Sequence, residues 1–201
     1  MFFNNFITKL QKQTNTVFKL LQLIGEGHEL KNLDVLTAKC YFMLYLGKYQ
    51  AVKLLMDKYN TINKKVTPLL YSAYLKALIE GGDLVKAKQV VKKLEMLKSI
   101  NPHVYSAILD FYKVNSNEDD YWDIFQKAIT VHQRSVQILL HGAYYFVKRQ
   151  DAKRSEEILE RIKSLNYEKS RHYYAQYLSY LGEYFALKKK PSKAADTLMK
   201  S

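Results

Sequence analysis

Residues 67–97, TPLLYSAYLKALIEGGDLVKAKQVVKKLEML, read as a complete helix-turn-helix hairpin. Thr67 stands where it caps a helix, and Pro68 falls at the first helical position, where its missing N–H costs nothing and its fixed φ suits the helix. The first helix runs to Glu80. Gly81 and Gly82 offer the positive-φ freedom that a tight reversal needs, and Asp83 is placed to cap a second helix. Its apolar positions Leu84, Ala87, Val90, Val91 and Leu94 follow at helical spacing. The rest of the chain reads as imperfect copies of this hairpin.

The small residue after the turn serves as a ruler for those copies. Gly47 to Ala51, Gly82 to Ala87, Asn117 to Trp122, Gln150 to Ser155 and Lys189 to Ala194 give marker positions 51, 87, 122, 155 and 194, spaced by 36, 35, 33 and 39 residues. That is close to the period of about 34 residues of helical-hairpin repeats. Pro68 and Pro102, 34 apart, mark two first helices independently. Hairpins are therefore expected near 35–60, 67–98, 102–131, 135–165 and 167–201, in a repeat domain over 31–201 behind an N-terminal helix over 1–30. The expected fold class is all-α, a right-handed α-α superhelix (solenoid) of about five helix-turn-helix repeats.

Individual copies carry further expectations. In the third, Glu118, Asp119 and Asp120 favour the positive end of a helix starting near Asp119. In the fourth, Gly142 lies mid-helix, where a missing side chain permits close approach. The fifth has a long first helix over about 167–189, which accounts for the 39-residue spacing. Ala194, Ala195, Leu198 and Met199 form an apolar stripe on the last helix, and no further helix covers it. A protein partner or self-association is expected there.

Composition sets the outer bounds. The chain has 201 residues, 48% hydrophobic and 25% charged, enough for a substantial core and unlike a disordered segment. Seven Gly and three Pro leave few breaks, and the prolines open expected helices rather than interrupting them. A lone Cys40 excludes an intramolecular disulfide framework, so a reducing, intracellular setting is the default. The longest apolar run, residues 40–46, is far too short to span a bilayer. Residues 1–24 hold Lys9, Lys12 and Lys19, no acidic residue, and Phe3, Phe6, Ile7, Leu10, Val17, Phe18 and Leu21 on one helical stripe. They resemble a mitochondrial presequence in being amphipathic and acid-free, although the usual arginines are missing; a capping helix is the other reading.

Enzyme chemistry finds little support. His28, His103, His132, His141 and His172 fall in no HExxH or HxH spacing, and no phosphate cradle, dinucleotide fingerprint or nucleophile elbow occurs. No cofactor or metal is expected, and each histidine reads as an ordinary helix or surface residue.

Binding chemistry is better represented. Lys and Arg number 32 against 19 Asp and Glu, a net charge of +13 that favours polyanionic partners. Tyrosines recur on every expected first helix: Tyr41 and Tyr45, Tyr71 and Tyr74, Tyr105 and Tyr112, Tyr144 and Tyr145, then Tyr173, Tyr174, Tyr177 and Tyr180. The candidate concave face comprises Tyr71, Tyr74, Tyr105, Tyr112, His141, Tyr144, Lys148, Arg171, Tyr174 and Tyr177. Phenol rings for stacking beside cations for phosphates are what single-stranded nucleic acid requires. Equally, such tyrosines can pack between helices with their hydroxyls wet.

YSAYLKALIEGGDLVKA over 71–87 and MLKSINPHVYSAILDFY over 96–112 resemble the pentatricopeptide repeat, and also a divergent tetratricopeptide repeat, with a likeness that is good over residues 67–130 and weak elsewhere. The first resemblance implies an organellar RNA-binding or ribonucleoprotein-associated solenoid. The second implies a groove for a protein or peptide segment. At the position where pentatricopeptide repeats read a base, this chain has Ala73 and Ala107, and a methyl group cannot hydrogen-bond a base edge. Two readings stay open: a basic scaffold docking on RNA or a ribonucleoprotein without base-specific readout, and an adaptor that binds a protein segment.

Overall fold

The structure, a computed structural model, describes residues 33–62, 66–97, 100–165 and 171–200. The expected N-terminal helix over 1–30 lies outside the described residues. Among those described, all regular structure is helical. The helices are α1 (Leu33–Tyr45), α2 (Tyr49–Ile62), α3 (Pro68–Glu80), α4 (Leu84–Glu95), α5 (Pro102–Val114), α6 (Glu118–Val131), α7 (Val136–Lys148), α8 (Ala152–Lys163), α9 (Arg171–Leu187) and α10 (Pro191–Leu198).

Capping explains most of the starts. Thr67, Asn101, Asn117, Ser135 and Asp151 each accept a hydrogen bond from the backbone N–H three residues on, and Asp83 does the same for Lys86 at 3.2 Å. Such caps are worth about 1 kcal/mol each. Prolines occupy the first turn of α3, α5 and α10. In α6 the cap is Asn117, not the acidic cluster, and Glu118, Asp119 and Asp120 fill the first turn, where the helix dipole favours them.

One turn recurs five times. The left-handed residue is Gly47, Gly82, Ser116, Gln150 or Lys189, with φ of 69°, 74°, 52°, 57° and 54°. Its N–H reaches the carbonyl three residues back, and the next N–H reaches five back: Gly82 to Ile79 and Asp83 to Leu78, Gln150 to Val147 and Asp151 to Phe146, and likewise at the other three. This is the Schellman geometry, which satisfies carbonyls a helix end would otherwise orphan. The residue after the left-handed one already begins the returning helix, and Asp83, Asn117 and Asp151 serve there as its cap.

That geometry corrects the ruler. Only Gly82 of the glycine pair is left-handed, since Gly81 has φ −84°. Counting five residues on from each left-handed position gives Val52, Ala87, Tyr121, Ser155 and Ala194, every one of them buried. The marker positions 51 and 122 are thus each one residue off: Ala51 and Trp122 are only partly buried, whereas burial is what stays constant five residues after each left-handed position. The lone 39-residue spacing is absorbed in α9, with 17 residues where α1, α3, α5 and α7 have 13.

The described residues form two compact units divided between Lys86 and Ala87, inside α4. In the first, α3 packs against both α1 and α2, with Leu36, Cys40, Val52, Met56, Leu70, Leu75 and Leu78 fully buried. In the second, α5 packs on α6 and α7, α7 on α8 and α9, and α9 on α8 and α10. Its core gathers Leu139, Ala143, Phe146, Ile158, Leu159, Ile162, Tyr177 and Leu178. Gly142 sits in α7 against α6: a Cβ there would lie 2.6 Å from Phe125 Cζ. At α10, Ala194 and Thr197 are buried and Leu198 lies against Gly182 of α9, yet Leu198 stays 45% and Met199 80% exposed. None of the described helices is long and apolar enough to cross a membrane.

Candidate functional site

In the first unit the tyrosines are largely consumed by the fold. Tyr74 is 2% exposed, and its hydroxyl donates to the Asp57 carboxylate. Lys86 completes the group, with Nζ 2.8 Å from Asp57 Oδ1 and 5.8 Å from the Tyr74 ring centre. Desolvation pushes the Asp57 carboxyl up, but hydrogen bonds from Lys86 and Tyr74 outweigh it and hold the group below its ordinary value. Burial, then the hydrogen bond to Asp57, push the Tyr74 phenol up to about 12. Tyr41 donates to Ser72 Oγ at 2.7 Å, since the Ser72 proton goes to the Leu69 carbonyl. Tyr71 is half-buried, and Tyr45 is exposed.

The second unit builds an open cleft. Tyr112, Lys113 and Ser116 from the end of α5, Glu118 and Tyr121 from α6, and Tyr144, Tyr145, Lys148 and Arg149 from the end of α7 enclose ≈ 210 Å³. Turn geometry assembles it, because two successive helix ends and one helix start meet at one edge. Lys113 Nζ lies 4.0 Å from the Tyr144 ring centre, and Arg149 lies 5.4 Å from that of Tyr145. Cation–π contacts of this kind are worth about 0.5–1 kcal/mol where exposed. Arg149 also donates to Glu118 at 2.6 Å. Tyr145 runs parallel to Tyr121, tilted by 6°, and nearly so to Trp122 at 4.9 Å. Three cations and a single carboxylate therefore line the cleft beside a wall of phenol rings. Burial pushes up the phenols of Tyr112 and Tyr144, with Glu95 adding to Tyr112, so both hydroxyls stay neutral near pH 7.

Behind that wall His141 joins three helices. Tyr121 donates to the His141 carbonyl at 2.9 Å and sits 3.1 Å from Nδ1, while Nε2 is 2.9 Å from Ser106 Oγ. With its one proton spent on the carbonyl, the Tyr121 oxygen accepts from Nδ1–H, and Nε2 then accepts from Ser106. Ser106 and Tyr121 are buried, so His141 orients the cleft wall rather than facing a ligand.

A second concavity of ≈ 440 Å³ opens beside α5 and α6. It is lined by Glu95, Asp120 and Asp123, with Leu97, Ile100, Tyr105, Tyr112, Ile124 and Lys127. Tyr112 spans the two, lining both while donating to Glu95 at 2.7 Å.

Of the expected face, Tyr112, Tyr144 and Lys148 meet in the cleft, and His141 backs it. Tyr105 lines the acidic concavity, its ring edge-on to His132 at 5.8 Å. Tyr177 is buried in the core, and Tyr174 is exposed. The Arg171 side chain lies outside the described residues. Lys113, Arg149 and Tyr121 complete the cleft without having been singled out by sequence. Lys113 and Arg149 carry one available signal: both stand within three residues of a turn. Among the described residues no group of three or more His, Cys, Asp or Glu is placed to hold a metal ion. No protein-family model matches this chain, and no curated protein matches it.

Proposed function

We propose that this chain is a non-catalytic helical-repeat scaffold whose second unit docks on single-stranded RNA or a ribonucleoprotein surface without reading base identity. The cleft carries the reading: Lys113, Lys148 and Arg149 against Glu118 alone, beside Tyr112, Tyr144 and Tyr145. Cations supply sequence-independent affinity for phosphates, and ring faces and edges tolerate any base. Ala73 and Ala107 are fully buried methyl groups that reach no ligand, which supports docking without readout. Five equivalent turns, and first helices that pack on the next first helix within each unit, support a right-handed superhelix. The acid-free residues 1–24 support a mitochondrial destination, which organelle fractionation tests.

The deciding measurement is fluorescence anisotropy of a labelled oligouridine of about 20 nucleotides with the full chain over a salt series. Affinity falls linearly with salt on logarithmic axes, and Lys113→Ala with Arg149→Ala weakens it. Absence of binding at the lowest salt overturns the reading. The acidic concavity favours a second one, an adaptor for a basic protein segment, since Glu95, Asp120 and Asp123 repel phosphate. Under that reading a Lys-rich peptide binds, Asp120→Asn with Asp123→Asn abolishes it, and nuclease treatment changes nothing.

A further inference from the structure

The three turns of the second unit lie at one edge of its helices. Arg149 at the middle turn bonds Glu118 at the first, and Lys188 at the last pairs with Glu156 of α8 at 3.4 Å. Charge along this edge is uneven. The first turn sets Glu118, Asp119 and Asp120 against Lys113, whereas the middle turn has Lys148, Arg149, Lys153 and Arg154 against Asp151. At the last turn stand Lys188, Lys189, Lys190 and Lys193, with no carboxylate anywhere in residues 184–195.

Arg149, Arg154 and Lys188 are held by carboxylates. Lys148, Lys153, Lys189, Lys190 and Lys193 are exposed and form no salt bridge within 4.0 Å among the described residues, Lys190 acting on Glu156 only at longer range. Like charges in excess on one edge repel, and a polyanion relieves that repulsion.

We propose that the sugar-phosphate backbone of single-stranded RNA leaves the cleft at Lys148 and runs along this edge to Lys193, rather than along the tyrosines of the first helices. This rests on the RNA-docking reading above and adds the path of the strand. An anionic membrane would use the same charge, but membrane surfaces also reward apolar insertion. Here exposed Leu198 and Met199 sit at the opposite end of α10 from Lys190, away from the basic edge.

The test uses the full chain, the same oligouridine and a salt series. Each phosphate neutralised on a single strand contributes about 0.7 to the logarithmic salt slope. Lys189→Gln, Lys190→Gln and Lys193→Gln together should make the slope shallower by about 2, and binding about 100-fold weaker at about 0.1 M salt. Gln150 shows that glutamine accepts the left-handed conformation Lys189 adopts. Lys92→Gln, Arg134→Gln and Lys163→Gln remove the same charge from exposed positions at the other helix ends, and should leave the slope unchanged. If the edge variant fails to fold by circular dichroism, Lys153→Gln gives the same test at the middle turn, with a slope change of about 0.7. Equal effects from edge and control variants overturn the path, as does wild-type binding that the edge variants leave intact; both leave RNA docking standing. Loss of binding to phosphatidylserine vesicles but not to oligouridine also overturns it. Failure of the wild-type chain to bind at low salt overturns path and docking together.

Discussion

Gly142 faces the ring of Phe125 so closely that a Cβ on the glycine would lie 2.6 Å from Cζ and 3.0 Å from Cε2. Phe125 is buried and its ring is packed against Phe146 and Trp122, so it has no free direction in which to yield. Gly142→Ala gains about 1 kcal/mol of helix propensity but overpacks the α6–α7 contact by more. A net loss of about 1–2 kcal/mol is expected in urea unfolding. Combined with Phe125→Leu it should cost less than the two changes summed, and simple additivity would contradict the contact.

The turn residues give a pair of opposite predictions. Gly82 has φ 74° and open space for 4 Å around the point a Cβ would occupy, so Gly82→Ala costs backbone strain alone, about 1 kcal/mol. Gln150 holds the equivalent conformation at φ 57° with a side chain, and Gln150→Gly should raise stability by about 0.5 kcal/mol. Thermal midpoints moving in the same direction for both would contradict the assignment.

Acid should selectively weaken the Asp57 cluster. The carboxyl is held below its ordinary value, so its contribution is present above the unfolded-state pKa and is lost as pH falls through the folded one. Asp57 and Lys86 side chains are 36% and 40% exposed, which limits the pair to about 0.5 kcal/mol. Asp57→Asn should be the less stable protein at pH 7, with the gap closing below about pH 4. A gap that stays constant with pH would mean the cluster acts by packing alone.

Ala107 distinguishes a buried spacer from a reading position. It is fully buried in α5. Ala107→Asn therefore places an amide where no water reaches, and a loss of about 2–4 kcal/mol is expected, with no new preference among oligonucleotides of different base. A stable variant that discriminates between bases would show that the position faces ligand.

What the sequence makes legible follows from which interactions are local. Thr67 with Pro68, Asn101 with Pro102, and Asp83 after two glycines declare helix ends within a few residues, so the hairpin order can be read along the chain. Ser116, Gln150 and Lys189 cannot be recognised as left-handed, because nothing in a polar side chain advertises φ. Of the five markers, 122 after Ser116 is displaced by one residue, as is 51 after Gly47, whereas 155 after Gln150 and 194 after Lys189 fall in place. Tyr112, Tyr144 and Lys148 are visible from helical spacing, yet spacing does not separate them from Tyr74 and Tyr177, whose fate depends on neighbours far away in sequence. Lys113 and Arg149 look like ordinary basic residues near helix ends until the turns bring them to one edge.

The doubled role of the residue after three of the five left-handed positions has a mechanical consequence. Asp83, Asn117 and Asp151 close one helix with the backbone N–H and open the next with the side chain, so no residue between the paired helices is slack. A hairpin of this kind cannot open like a jaw without breaking the two Schellman bonds and the cap at once. These three turns therefore act as stiff joints that fix the spacing of the helices they connect.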